Sequence, residues 1–197
     1  MENSIYNYRL EQEPDYEIIE GVKVFMAPAG TLEHGSVIGN IFGQVFSYIV
    51  QNSVKAAVFV DDIDMHFPDG SYFKPDLNVI LNPEITKNRK AIYGVPDMVV
   101  EVLSYLTMRN DVGKKKEIYE RNGVKEYWIV DTWSKRVEVY HLIEGEFKLD
   151  DIYSSLSEEE FAMINEEEQA AIRSDIKVSI FDDLTVDVRK IFKWWFD

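Results

Sequence analysis

The chain has 197 residues, is 46% hydrophobic with 11 Tyr, 11 Phe and 4 Trp, and carries a formal net charge of −15, which excludes a disordered polymer and suffices for one buried core. It has no cysteine and only three histidines, scattered at His34, His66 and His141, so disulfides, thiol nucleophiles and zinc ribbons are excluded and any metal has to sit among oxygens, as magnesium or manganese does. No run approaches the roughly 20 apolar residues that cross a bilayer, and the polar, acidic residues 1–12 lack a signal-peptide core, so a cytoplasmic chain with no membrane partner is expected.

Residues 16–19 and 22–26 are apolar-rich runs joined by Glu20-Gly21, the composition of a two-residue hairpin turn. From residue 34 to 50, Val37, Ile38, Ile41, Phe42, Val45, Phe46 and Ile49 recur at helical spacing, with Thr31 placed to cap the helix. Residues 56–60 and 63–67 read as strands ahead of the turn Pro68-Asp69-Gly70, and 77–81 as a short apolar strand directly after Pro75-Asp76. Residues 82–94 read as a polar connection. Residues 98–103 are apolar except for Glu101, the pattern of a strand buried on both faces. A carboxylate in such a strand is costly unless something pairs with it or binds it.

Residues 111–122 read as a helix ended by Gly123, and 127–130 as another buried strand. Residues 136–141 and 147–152 pair as a hairpin around Glu144-Gly145, and 157–171 read as helical. Residues 176–180 read as a short strand, and 186–195 as a closing helix with Val188, Ile191, Phe192 and Trp195 on one face. With no repeat or Pro/Ser-rich linker, residues 1–197 are expected to form one domain, in which residues 144–171 are an acidic surface excursion. The order of elements predicts an α/β fold: a mixed β-sheet flanked by helices, with an N-terminal β-hairpin and a C-terminal helix.

Charge is unevenly spread. Between Lys87 and Lys125 nine basic residues face five acidic ones, so this span carries +4 and the remainder −19. The island suits either an anionic ligand or a solvated helix face, while the acidic average disfavours broad contact with nucleic acid.

Two carboxylates on neighbouring strands can hold a divalent cation, with a backbone carbonyl as a further oxygen ligand. Such an ion polarises a phosphate and acidifies an attacking water, and a nearby lysine stabilises developing charge. Pro75-Asp76 and Glu101-Val102-Leu103 have that arrangement except for the lysine, because Leu103 stands two residues after Glu101. Asp76 would equally serve as a turn residue, and Glu101 as the partner of Arg109 or Lys115.

The block PDMVVEVLSYLTMRNDVGKKKEIYERNGVKEYWIVD from Pro96 resembles the hallmark of the Uma-two family, restriction-endonuclease-like proteins long classed as a domain of unknown function within the PD-(D/E)XK nuclease superfamily. YEIIEGVKVFMAPA from Tyr16, VFVDDIDMHF from Val58, KPDLNVI from Lys74 and the closing FDDLTVDVRKIF extend the resemblance over nearly the whole chain. It implies Asp76 and Glu101 as metal ligands with the Leu103 carbonyl, Mg2+ or Mn2+ as cofactor, DNA as substrate, and a homodimer. It also implies that the lysine has moved to the next helix in a D-x-x-x-K-x-x-x-Y pattern, met here by Asp111, Lys115 and Tyr119. Lys115 is then the catalytic lysine, and Glu33, His34, Asp111 and Tyr119 are secondary candidates. The family's proline after the serine of EVLS is replaced by Tyr105. The alternative function is a catalytically degenerate nuclease fold that binds DNA or protein.

Overall fold

The computed structural model describes residues 15–26, 30–61, 63–86, 90–104 and 111–194. The expectations placed on residues 1–12 and on Tyr105, Arg109 and Trp195 lie outside them.

The expected hairpin forms from β1 (Tyr16–Ile19) and β2 (Val22–Phe25). Glu20 and Gly21 both take positive φ, as a tight turn matched to strand twist requires. Helix α1 (Leu32–Gln51) is capped by the Thr31 side chain, which accepts from the His34 amide, and it buries Val37, Ile38, Ile41, Val45 and Ile49. β3 (Ala57–Val60), β4 (Met65–His66), β5 (Tyr72–Phe73) and β6 (Leu77–Ile80) follow. The polar connection is more ordered than its composition predicts, with a 3-10 turn at Pro83–Thr86 and strand β7 (Ile92–Tyr93). Beyond it run β8 (Met98–Val102), a π turn (Asp111–Lys115) leading into α2 (Lys116–Asn122), and β9 (Glu126–Asp131). Gly123, at φ 87, ends α2 in the left-handed conformation.

β10 (Arg136–Ile143) and β11 (Glu146–Ser154) form the second predicted hairpin. The single helix expected over 157–171 is split into α3 (Glu158–Met163) and α4 (Glu166–Ala171), each opened by its own capping box and neither burying a residue. Within the acidic stretch 144–171, by contrast, Phe147 and Tyr153 of β11 are buried. β12 (Asp175–Lys177) pairs with β13 (Thr185–Asp187), and α5 (Val188–Ile191) follows. Residues 186 and 187, expected to begin the closing helix, are thus strand.

The elements build a mixed six-stranded sheet, ordered β11-β10-β9-β8-β6-β3, and a five-stranded sheet, ordered β2-β1-β5-β4-β7. One core lies between the six-stranded sheet, α1 and the C-terminal elements, and a second lies on the sheet's other side with the five-stranded sheet and α2. This sandwiching explains why β8, apart from Glu101, and residues 127–130 of β9 are apolar in the central parallel pair.

Gly94, between β7 and β8, sits at φ +142, and a Cβ there would lie 2.5 Å from Ile85 Cγ2. Gly94→Ala is therefore expected to lower the melting temperature by about 5 °C in a thermal melt; an unchanged melt would mean that the 3-10 turn yields freely.

Candidate active site

β6 and β8 run antiparallel with Leu77 opposite Val100 and Asn78 opposite Val99. One step further, that register puts Asp76 opposite Glu101 on one face. The Asp76 backbone carbonyl accepts from the Asp61 amide at 3.0 Å. Its carboxylate is fixed at both oxygens: Oδ2 accepts from the Val102 amide at 2.6 Å, and Oδ1 lies 3.2 Å from His34 Nε2. His34 comes from the first turn of α1, so the end that favours anions faces this carboxylate. Glu33, its neighbour, is exposed.

The hydrogen bond to Asp76 holds the His34 imidazole above its usual 6.5, against burial, which pulls it down. Since the folded value is the raised one, the pair's stabilisation is full below the unfolded histidine pKa and is lost as pH rises through the folded value. An NMR titration is expected to place His34 above 6.5, and Asp76→Asn to bring it down; a value unmoved by that substitution would break the assignment.

Lys115 is 3% exposed. Its Nζ lies 2.9 Å from Glu17 Oε1, 3.1 Å from Asp111 Oδ1 and 3.3 Å from Glu101 Oε1. Tyr119 completes the cluster, its hydroxyl donating to Glu101 Oε1 at 2.6 Å. Asp111, Lys115 and Tyr119 thus converge as their four-residue spacing predicts, although the first of those turns is π rather than α. The Tyr127 hydroxyl anchors that turn by donating to the Asp111 carbonyl at 2.9 Å. Asp111 Oδ1 is in ion-pair contact with Lys115 but outside hydrogen-bond geometry, so it is left without a hydrogen-bond partner.

Burial penalises the Lys115 ammonium, but Glu101, Asp111 and Glu17 together push its pKa well above the usual lysine range. Glu101 is also raised: burial leads, Lys115 opposes it, and Asp111, Asp76 and Glu17 add to it. The two directions agree. One ammonium cannot satisfy several carboxylates, so the lysine stays charged and Glu101 takes up the excess as proton affinity.

The Leu103 side chain, where a lysine is expected in the usual motif, is buried in the second core, and its amide donates to the Val130 carbonyl at 2.8 Å. Lys115 instead reaches Glu101 from the helix side. Among the described residues, no three His, Asp or Glu side chains stand in metal-holding geometry. Glu17, Glu101 and Asp111 close on Lys115 Nζ. With the half-buried Asp76, four carboxyl groups gather near one ammonium, and an all-oxygen donor set of this kind suits a hard divalent cation.

Sequence reasoning missed Glu17. The signal was available, because strand alternation puts Glu17 on the same face as the buried Ile19. Among the described residues of the basic island, Lys114 pairs with Glu20 at 2.8 Å, Arg121 with Asp69 at 2.7 Å and Lys125 with Asp97 at 2.7 Å. Lys116 lies over the Tyr140 ring. No helix of the described residues is long and apolar enough to cross a membrane.

A family model described as "Uma2: Putative restriction endonuclease" matches residues 4–171. The chain is also similar to the crystal structure of a putative nuclease belonging to DUF820 from Anabaena variabilis ATCC 29413, with a TM-score of 0.68, 20% identity and coverage of 92% of both chains, a likeness that bears on the fold. No curated protein matches.

Proposed function

Because the chain belongs to the Uma2 family, of the PD-(D/E)XK nuclease-like superfamily, we propose that it is a divalent-metal-dependent endonuclease hydrolysing phosphodiester bonds of DNA, acting as a homodimer. Asp76, Glu101 and the Leu103 carbonyl are the ligands in this reading, and Lys115 is the catalytic lysine. The observation that carries it is the 3.3 Å approach of Lys115 Nζ to Glu101 Oε1 from the π turn that leads into α2, which supplies the cation that Leu103 cannot.

The chemistry supplied by a bound magnesium or manganese ion would be polarisation of the phosphate and acidification of the attacking water. The residues of the chain prepare that chemistry. The Val102 amide and His34 hold Asp76 in one orientation. Lys115 and Tyr119 both hold Glu101 Oε1, which fixes the orientation of the carboxylate. Its raised pKa keeps Lys115 an ammonium at neutral pH, so it acts by orienting water and stabilising developing negative charge, not as a base.

Magnesium-dependent nicking of supercoiled plasmid tests this function: nicking that chelation abolishes supports it. The second reading is a degenerate, binding-only relative, favoured by the saturation of Lys115 by three carboxylates. A folded protein that cleaves neither plasmid nor single-stranded DNA with magnesium or manganese would select that reading.

A further inference from the structure

Asn78 lies in the middle of β6, between Phe59 of β3 and Val99 of β8. It is 0% exposed, and neither its side-chain Nδ2 nor its Oδ1 has a hydrogen-bond partner. Both partners across the strand, Phe59 and Val99, belong to the second core, so the carboxamide projects into an apolar layer. An amide buried in this way loses its hydration and gains nothing, and native chains rarely keep one without a use for it. Packing supplies no such use, since leucine has nearly the same shape without the polar atoms.

Alternation along β6 and the β6–β8 register assign Asn78 to the face that carries Asp76 and Glu101. It is the next residue along β6 on Asp76's side and the diagonal neighbour of Glu101 across the ladder. A carboxamide offers both a donor and an acceptor. Beside two carboxylates it can therefore donate to a carboxylate oxygen or accept from a water held by them, whereas a further carboxylate would only add repulsion.

We propose that Asn78 is a positioning residue of the acidic site, its buried carboxamide ordering the water that Asp76 and Glu101 hold around a divalent cation. The inference rests on the metal-site reading and deepens it. Groups of this outer kind are worth about 10- to 100-fold in metal affinity.

The test is Mn2+ binding to the full chain, read from the free-ion signal in electron paramagnetic resonance, alongside a thermal melt. Asn78→Leu is expected to melt at or above the wild-type temperature, because two unpartnered polar atoms are gone, and yet to bind Mn2+ about tenfold more weakly. A residue kept only for structure would not separate these two readouts. If leucine packs poorly and lowers the melt, Asn78→Ala, which removes the amide without added bulk, is expected to show the same loss of affinity. Wild-type affinity in the folded variants would overturn the role of Asn78 alone. A wild-type chain that binds no Mn2+ would overturn the metal-site reading and this inference together.

Discussion

Lys115→Met is expected to lower the melting temperature by about 10 °C at pH 7.5. Removing one partner of a buried ion pair costs about 3–5 kcal/mol, and each kcal/mol moves the melt by about 2–4 °C in a chain of this size. Here one ammonium is shared by Glu17, Glu101 and Asp111, all nearly inaccessible, so its loss leaves three carboxylates facing one another. The pH dependence follows from Glu101. Its folded pKa is raised, so the folded state binds more protons than the unfolded one, and stability falls as pH rises from the ordinary carboxylate value through the folded value. Acidifying Lys115→Met towards pH 5 is therefore expected to restore much of the loss. The wild type behaves differently with respect to Lys115 itself: its raised pKa keeps that stabilisation complete below the unfolded lysine pKa and loses it only as pH rises through the folded value. Circular-dichroism melts from pH 5 to 8 check both statements. A variant melting within 2 °C of wild type throughout, on the order of measurement error, would mean that the carboxylates do not depend on Lys115.

The second large effect is on activity, and Glu101→Gln is its sharpest form. Glutamine keeps an acceptor for the Tyr119 hydroxyl and removes a charge that burial already penalises. The fold is expected to be as stable as wild type or slightly more so, while magnesium-dependent nicking falls by about 10^3-fold or more for want of an anionic ligand. Asp76→Ala is expected to fall as far in activity but also to lose some stability, because the Val102 amide and His34 each lose an acceptor. The contrast separates chemistry from folding. Parallel loss of activity and stability in Glu101→Gln would point to a structural acid.

The sequence carried the site further than the sheets. Glu101 was conspicuous because β8 is otherwise apolar, and the four-residue spacing of Asp111, Lys115 and Tyr119 survived a change from α to π in the turn between the first two. The five-stranded sheet was not visible. Three of its strands, β4, β5 and β7, have two residues each, too few to display a period. The C-terminal error has the opposite cause: Val188, Ile191 and Phe192 fit a helical face, but pairing with β12 claims 185–187 as strand. Glu17 and Asn78 were legible in principle, each a polar residue on the apolar face of a short strand. Only the packing shows that both sit at one acidic cluster or beside it.

The most direct measurement is a calorimetric titration of Mn2+ into wild type, Asp76→Ala and Glu101→Gln at one pH. Wild type is expected to bind, and each variant to lose binding while remaining folded. Absence of binding to the wild type, or equal binding by all three, would contradict a divalent-metal site at Asp76 and Glu101.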